Sequence, residues 1–238
     1  DYNTTTANTI GGLAALSAND QVEIIVYDTF SVFGGNVNAD FTISNGTLTA
    51  SGNVSFDGGS IKLDGNFPTG TRNSALGNEA LDDGSLSGSD NTAIGDSALT
   101  ANTSGANNTA LGSGAAAANT TGGQNIAIGN YTLDANTTGS SNTAVGTYCL
   151  GLNTTGGYNT ALGYLSLYDN TTGVNNVALG SSALENNTTA NNNTAVGYQA
   201  LYSNTTGTLN VAVGATALDA NTTANANNAF GYGALGAN

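Results

Sequence analysis

The stretch NTAIGDSALTANTSGAN, residues 91–107, is followed at once by another Asn-Thr-Ala-Leu-Gly. The motif Asn-x-Ala-aliphatic-Gly begins at Asn73, Asn91, Asn108, Asn125, Asn142, Asn159, Asn176, Asn193 and Asn210, and a copy with Phe at the aliphatic place begins at Asn227. The first interval is 18 residues and every later one is 17. An insertion would displace each later side chain against the unit beneath it, so constant spacing is the signature of stacked repeats. With the Asn as position 1, each unit continues through a small residue and Leu at positions 8 and 9, as in Ala98-Leu99, and then Asn-Thr-Thr-Gly or a near variant at positions 12 to 15.

A helical unit is excluded. It would carry several interior Gly at about 1 kcal/mol each, and Thr and Asn are poor helix formers. The aliphatic at position 4 and the Leu at position 9 do not recur on one helical face. The spacing therefore predicts an all-β chain, a parallel β-roll or β-solenoid with one 17-residue coil per repeat and two short extended segments in each. Gly at position 5 and Asn-Thr-Thr-Gly supply the corners, because Gly accepts positive φ and Asn and Thr bond locally to backbone. Ten coils at about 4.8 Å make a rod segment of roughly 45 Å.

The ordering entropy of a lone coil exceeds what two aliphatic side chains and its ladder hydrogen bonds return. A second burial between chains follows. The Ala at position 3, present from Ala75 to Ala229, marks a close approach and points to a homotrimer meeting through small, Ala-rich faces.

Composition narrows the partners. The net charge is -14, with Lys62 and Arg72 the only cations and no His. Such a chain cannot neutralise a run of phosphates, so nucleic acid is excluded. No stretch approaches the roughly 18 apolar residues of a membrane span, and membrane insertion is not expected in this segment. The chain starts at Asp1, has no Met and stops within a repeat at Asn238, as expected of a processed product or a piece of a longer protein.

Catalysis is not expected. Without His, neither a Ser-His nor a Cys-His pair can be built, and the acidic residues show no recurring spacing. Cys149 stands alone at a position that is Ala or Ser in most units and reads as a small core residue. No cofactor or metal is expected, since the Gly-Gly-x-Gly-x-Asp pattern of calcium β-rolls is missing and no Lys follows the Gly-rich turns. Asn-Thr-Thr or Asn-Thr-Ser recurs from Asn102 to Asn221, each formally a glycosylation acceptor, but the corner is better read as a stacked ladder of hydrogen-bonded Asn and Thr. Tyr164, Tyr198 and Tyr232 share position 6 on alternate coils, and Tyr168 and Tyr202 share position 10. Rings in files roughly 10 Å apart are candidate glycan contacts, weighed against a plain role covering coil edges.

Residues 1–72 do not repeat. DQVEIIVYDTFSVFGG, residues 20–35, alternates as a strand and reads as the last strand or two of a small β-domain, the end of which occupies 1–35. Residues 36–72 set short apolar runs between Asn45-Gly46, Asp57-Gly58-Gly59 and Asp64-Gly65, as in a β-hairpin collar and connector that includes Pro68. The β-roll then fills 73–238.

Asn-Thr-Ala-Ile-Gly with its following Ala-Leu resembles the head repeats of trimeric autotransporter adhesins, left-handed parallel β-rolls associated as trimers. It is still more similar to the repeat region of tail-fibre and other virion structural proteins of marine bacteriophages, and residues 20–35 resemble the end of small β-sandwich modules in phage fibres. The resemblance implies a structural shaft in a virion tail fibre or appendage, positioning a receptor-binding tip for host attachment beside other virion or tail proteins. The alternative is a bacterial cell-surface adhesin or extracellular filament whose coil binds a surface glycan or receptor directly.

Overall fold

The computed structural model describes residues 70–236. The end of a β-domain expected over 1–35 and nearly all of the collar expected over 36–72 lie outside the described residues. Each repeat contributes one strand of 3 residues: β1 Ser74–Leu76, β2 Thr92–Ile94, β3 Thr109–Leu111, β4 Ile126–Ile128, β5 Thr143–Val145, β6 Thr160–Leu162, β7 Val177–Leu179, β8 Thr194–Val196, β9 Val211–Val213 and β10 Asn228–Phe230. They form a 10-stranded sheet in chain order. Every pair is parallel and in register, Ala144 facing Ala127 on one side and Ala161 on the other. No helix occurs among the described residues. The chain is a parallel β-solenoid, as the repeat spacing requires.

Alternation along the strand decides which residues make the core. The central Ala points inward and is sealed within its own coil, with Ala144 and Ala161 0% exposed. This corrects the expectation that the Ala file is an interchain seam. The flanking positions 2 and 4 point outward, so the aliphatic at position 4 is not core either; Leu111 is 45% and Leu162 49% exposed. A 17-residue coil is too thin to hold two large side chains. It admits Leu at position 9, buried from Leu81 to Leu218 except where Ala116 replaces it, and small residues at positions 3 and 8. Cys149 is one of the latter.

The second extended segment expected in each coil is absent. Residues at positions 7 and 9 take left-handed backbone, as with Tyr148 at φ 56° and Leu150 at φ 52°, and so does position 17, Tyr158 at φ 59°. Left-handed residues break a strand, so positions 6 to 11 form a turn. Gly at position 5 opens it: Gly146 has φ 136°, and a Cβ there would stand 2.5 Å from the carbonyl oxygen of Gly163 in the next coil.

Two files of asparagine hold the coils together from inside. At position 1, Asn142 donates its backbone N–H to Asn125 Oδ1 at 3.0 Å and its Nδ2 to Gly156 O at 2.9 Å. At position 12, Asn153 Nδ2 donates to Asn136 Oδ1 at 2.8 Å and to Gly156 O at 3.0 Å. Both files are buried, and among the described residues no buried side-chain polar atom lacks a partner. Thr at position 13 adds an outer rail, Thr137 Oγ1 donating to Thr154 O at 3.1 Å.

The coil of residues 73–90 differs from the rest. Its turn is two residues longer over 82–85 and the corner after it one residue shorter, so buried Leu86 stands where the next coil has Asn102. The position-12 ladder therefore begins at Asn102. Arg72 clamps the same coil through a two-pronged pair with Asp90, both contacts 2.6 Å.

Candidate functional site

Interior and exterior divide the possible chemistry. The amide nitrogens of Asn119, Asn136, Asn153, Asn170, Asn187 and Asn204 face inward and donate to neighbouring side chains and backbone, so the corner is the expected Asn and Thr ladder. An Asn with its side chain 0% exposed offers no acceptor for glycosylation in the folded coil. Among the described residues no three His, Cys, Asp or Glu side chains come together. Burial pushes the Cys149 thiol up to about 12, far from a thiolate at neutral pH.

Three exposed surfaces remain. The sheet face presents positions 2 and 4, which hold no charged residue in any of β1 to β10. The Asn-Thr-Thr-Gly corner shows a file of hydroxyls at position 14, from Ser104 to Thr223, also uncharged. The turn edge at positions 6 to 11 is acidic. Apart from Asp90, which Arg72 neutralises, all carboxylates among the described residues lie there: Glu79, Asp82, Asp83, Asp96, Asp134, Asp169, Glu185 and Asp219. Burial raises the Asp134 and Asp169 carboxyls above the usual range.

The tyrosines also lie mainly on this edge. Tyr164 and Tyr198 at position 6 are 54% and 55% exposed and Tyr232 87%, while Tyr168 and Tyr202 at position 10 are half-buried. No ring contact joins Tyr164 to Tyr198. The rings that do meet are a set the position-6 file does not reveal. Tyr131 and Tyr148, at position 7 of adjacent coils, stack with centroids 5.6 Å apart and planes at 8°. Tyr148 meets Tyr168 edge to face at 6.3 Å and 86°. Sharing of position 7 by successive units is the sequence signal that identifies the first pair, because neighbouring coils bring like positions within stacking distance whereas alternate coils do not.

These features define a β-solenoid repeat protein with an uncharged sheet face and an acidic, aromatic turn edge. No family model, curated protein or solved structure matches the chain.

Proposed function

We propose that this chain is the shaft of a trimeric fibre, a virion tail fibre or appendage in which a β-strand collar leads into the solenoid and the solenoid sets the distance to a receptor-binding tip for host attachment. The observation that carries the reading is the sheet face. Ten strands expose an aliphatic at position 4, Phe230 in the last, with Thr, Val or Ile at position 2 in most, and no charge along the length. A three-residue strand is about 10 Å wide and ten coils are about 43 Å long, so the file approaches the largest apolar patches that monomers leave open. A copy of the same chain repeats its side chains at the same pitch and so matches the face coil for coil. The acidic turn edge, in contrast, repels its own copies and stays in solvent.

Light scattering tests the assembly: the full chain is expected near 70 kDa, three times 23.4 kDa. Leu162→Asp with Leu179→Asp places like charges at the seam and is expected to dissociate it. A monodisperse monomer of the parent chain, or an unaffected trimer of the variant, overturns the reading. For the spacer role, removal of residues 142–158 is expected to leave a folded shaft one strand spacing shorter, about 4.8 Å, with attachment retained.

A second reading, a cell-surface adhesin or extracellular filament whose coil binds ligand itself, draws on the tyrosine cluster. Loss of attachment on removing that coil, with assembly and melting unchanged, would favour it.

A further inference from the structure

Rings are not spread evenly along the turn edge. The first three coils carry Asn78, Asp96 and Ser113 at position 6 and Glu79, Ser97 and Gly114 at position 7, and aromatic side chains enter at Tyr131. The backbone gives the cluster room. A Cβ on Gly114 would lie 2.6 Å from Tyr131 Cδ1, and one on Gly151 would lie 2.7 Å from Tyr168 Cε2. Position 10 reads Asp134, Gly151, Tyr168 in three successive coils, and the Ala135 amide donates to Gly151 O at 3.1 Å. The Tyr168 ring therefore leans over Gly151 in the direction of Asp134.

Asp134 is half-buried and has no cationic partner; no Lys or Arg follows Arg72 in the chain. A carboxylate that has lost part of its hydration without gaining a counter-charge is stabilised by an arriving cation. Tyrosine rings attract the same charge through their negative faces, and the surrounding carboxylates raise its local concentration. A neutral ligand gains nothing from the carboxylate, and an anion is repelled.

We propose that Tyr148, Tyr168 and Asp134 bind an organic ammonium group, its charge set between the right-angled rings and the carboxylate. This site goes beyond the shaft role and does not depend on it.

The chain has no Trp, so tyrosine emission reports on the cluster. The full chain is titrated with tetramethylammonium chloride, with sodium chloride at equal ionic strength, and with neopentyl alcohol, a water-soluble neutral analogue of similar size. A saturable change is expected with tetramethylammonium alone. Asp134→Asn, which keeps the shape, is expected to weaken it about tenfold, Tyr148→Leu to abolish it, and Tyr198→Phe, outside the cluster, to leave it intact. Choline and glucosamine then separate a quaternary headgroup from an amino sugar, saturable binding of either supporting the site. The proposal is overturned by no saturable response, by an equal response to neopentyl alcohol or sodium, or by undiminished affinity in Asp134→Asn with its melting temperature unchanged.

Discussion

Gly146 and Gly156 belong to the same coil, and the effect of one methyl group at each is expected to differ sharply. Gly146 sits at position 5 with φ 136°, in a region where only glycine is comfortable, and an added Cβ would lie 2.5 Å from Gly163 O and 2.7 Å from Gly163 C. The backbone region costs about 1–3 kcal/mol. Forcing two coils apart against their ladder hydrogen bonds costs about 1–3 kcal/mol more. Gly146→Ala is therefore expected to lose about 2–6 kcal/mol. Gly156 sits at position 15, outside the positive-φ set, although an added Cβ would lie 2.4 Å from Gly173 O. Ala190 and Ala224 already occupy that position in later coils, and Ala190 still accepts from Asn176 Nδ2 at 2.8 Å. The corner yields slightly there, and Gly156→Ala is expected to cost under about 1 kcal/mol. Denaturant unfolding at fixed protein concentration measures both, with light scattering confirming an unchanged assembly. Equal losses for the two variants would refute the claim that position 5 is fixed by backbone conformation rather than by crowding alone.

Leu150→Ala is expected to cost about 2–5 kcal/mol, since Leu150 is fully buried, and calorimetry of the variant checks it. Ala116 interrupts the Leu file between Leu99 and Leu133, so Ala116→Leu is expected to raise the melting temperature by filling that layer, about 0.5–2 kcal/mol. Asn153→Ala removes the donor to Asn136 Oδ1 and Gly156 O inside the coil, with an expected loss of about 1–3 kcal/mol by denaturant unfolding. Three partly or fully buried acids couple stability to pH. Asp134 and Asp169 have folded carboxyl pKa values raised by burial, so the fold binds their protons more tightly than the unfolded chain; stability rises as pH falls from neutral through those raised values, and Asp134→Asn flattens the slope. The Cys149 thiol, raised to about 12, acts at the other end: the unfolded thiol ionises first, stability falls above its ordinary range near pH 9, and Cys149→Ala removes that limb in alkaline melts.

The repeat length, the parallel coil and the asparagine corner are legible in the sequence because each rests on residues that recur in nearly every unit. The side of the strand that faces inward is not. Val145 is more hydrophobic than Ala144, and hydrophobicity alone sends Val145 to the core; the interior is instead filled by Leu150 and two asparagine ladders, and only Ala fits beside them. The missing second strand is equally hidden, because Leu150 and Tyr148 have no intrinsic preference for the left-handed backbone that the stack imposes on them. The same stacking made the tyrosine cluster hard to find: the regular spacing of Tyr164 and Tyr198 is conspicuous, but rings on alternate coils are too far apart to touch, and the pairs that touch, Tyr131 with Tyr148 and Tyr148 with Tyr168, lie on adjacent coils.

Comparison of the coils with one another separates what folding demands from what the surface does. Positions 1, 3, 5, 9, 12 and 13 are nearly uniform, and each has an internal reason: a ladder, a tight interior, a glycine-only φ, or a rail to the next coil. Positions 6, 7, 10, 11, 16 and 17, at least partly open to solvent in most coils, vary freely, as a solvated surface permits. Position 4 fits neither group. It is exposed or half-exposed in the single chain, with Leu162 at 49% exposed and Val145 half-buried, yet it stays aliphatic from Leu76 to Val213 and never admits a charge. A solvated surface would have drifted there as it drifted at position 6, where Asp, Ser, Thr, Tyr and Ala all occur. A cover over the face, as in the assembly proposed above, would supply that constraint. A partner without the repeat could match one coil but would fall out of step at the next, whereas the proposed partner, another stack with the same spacing, would match every coil.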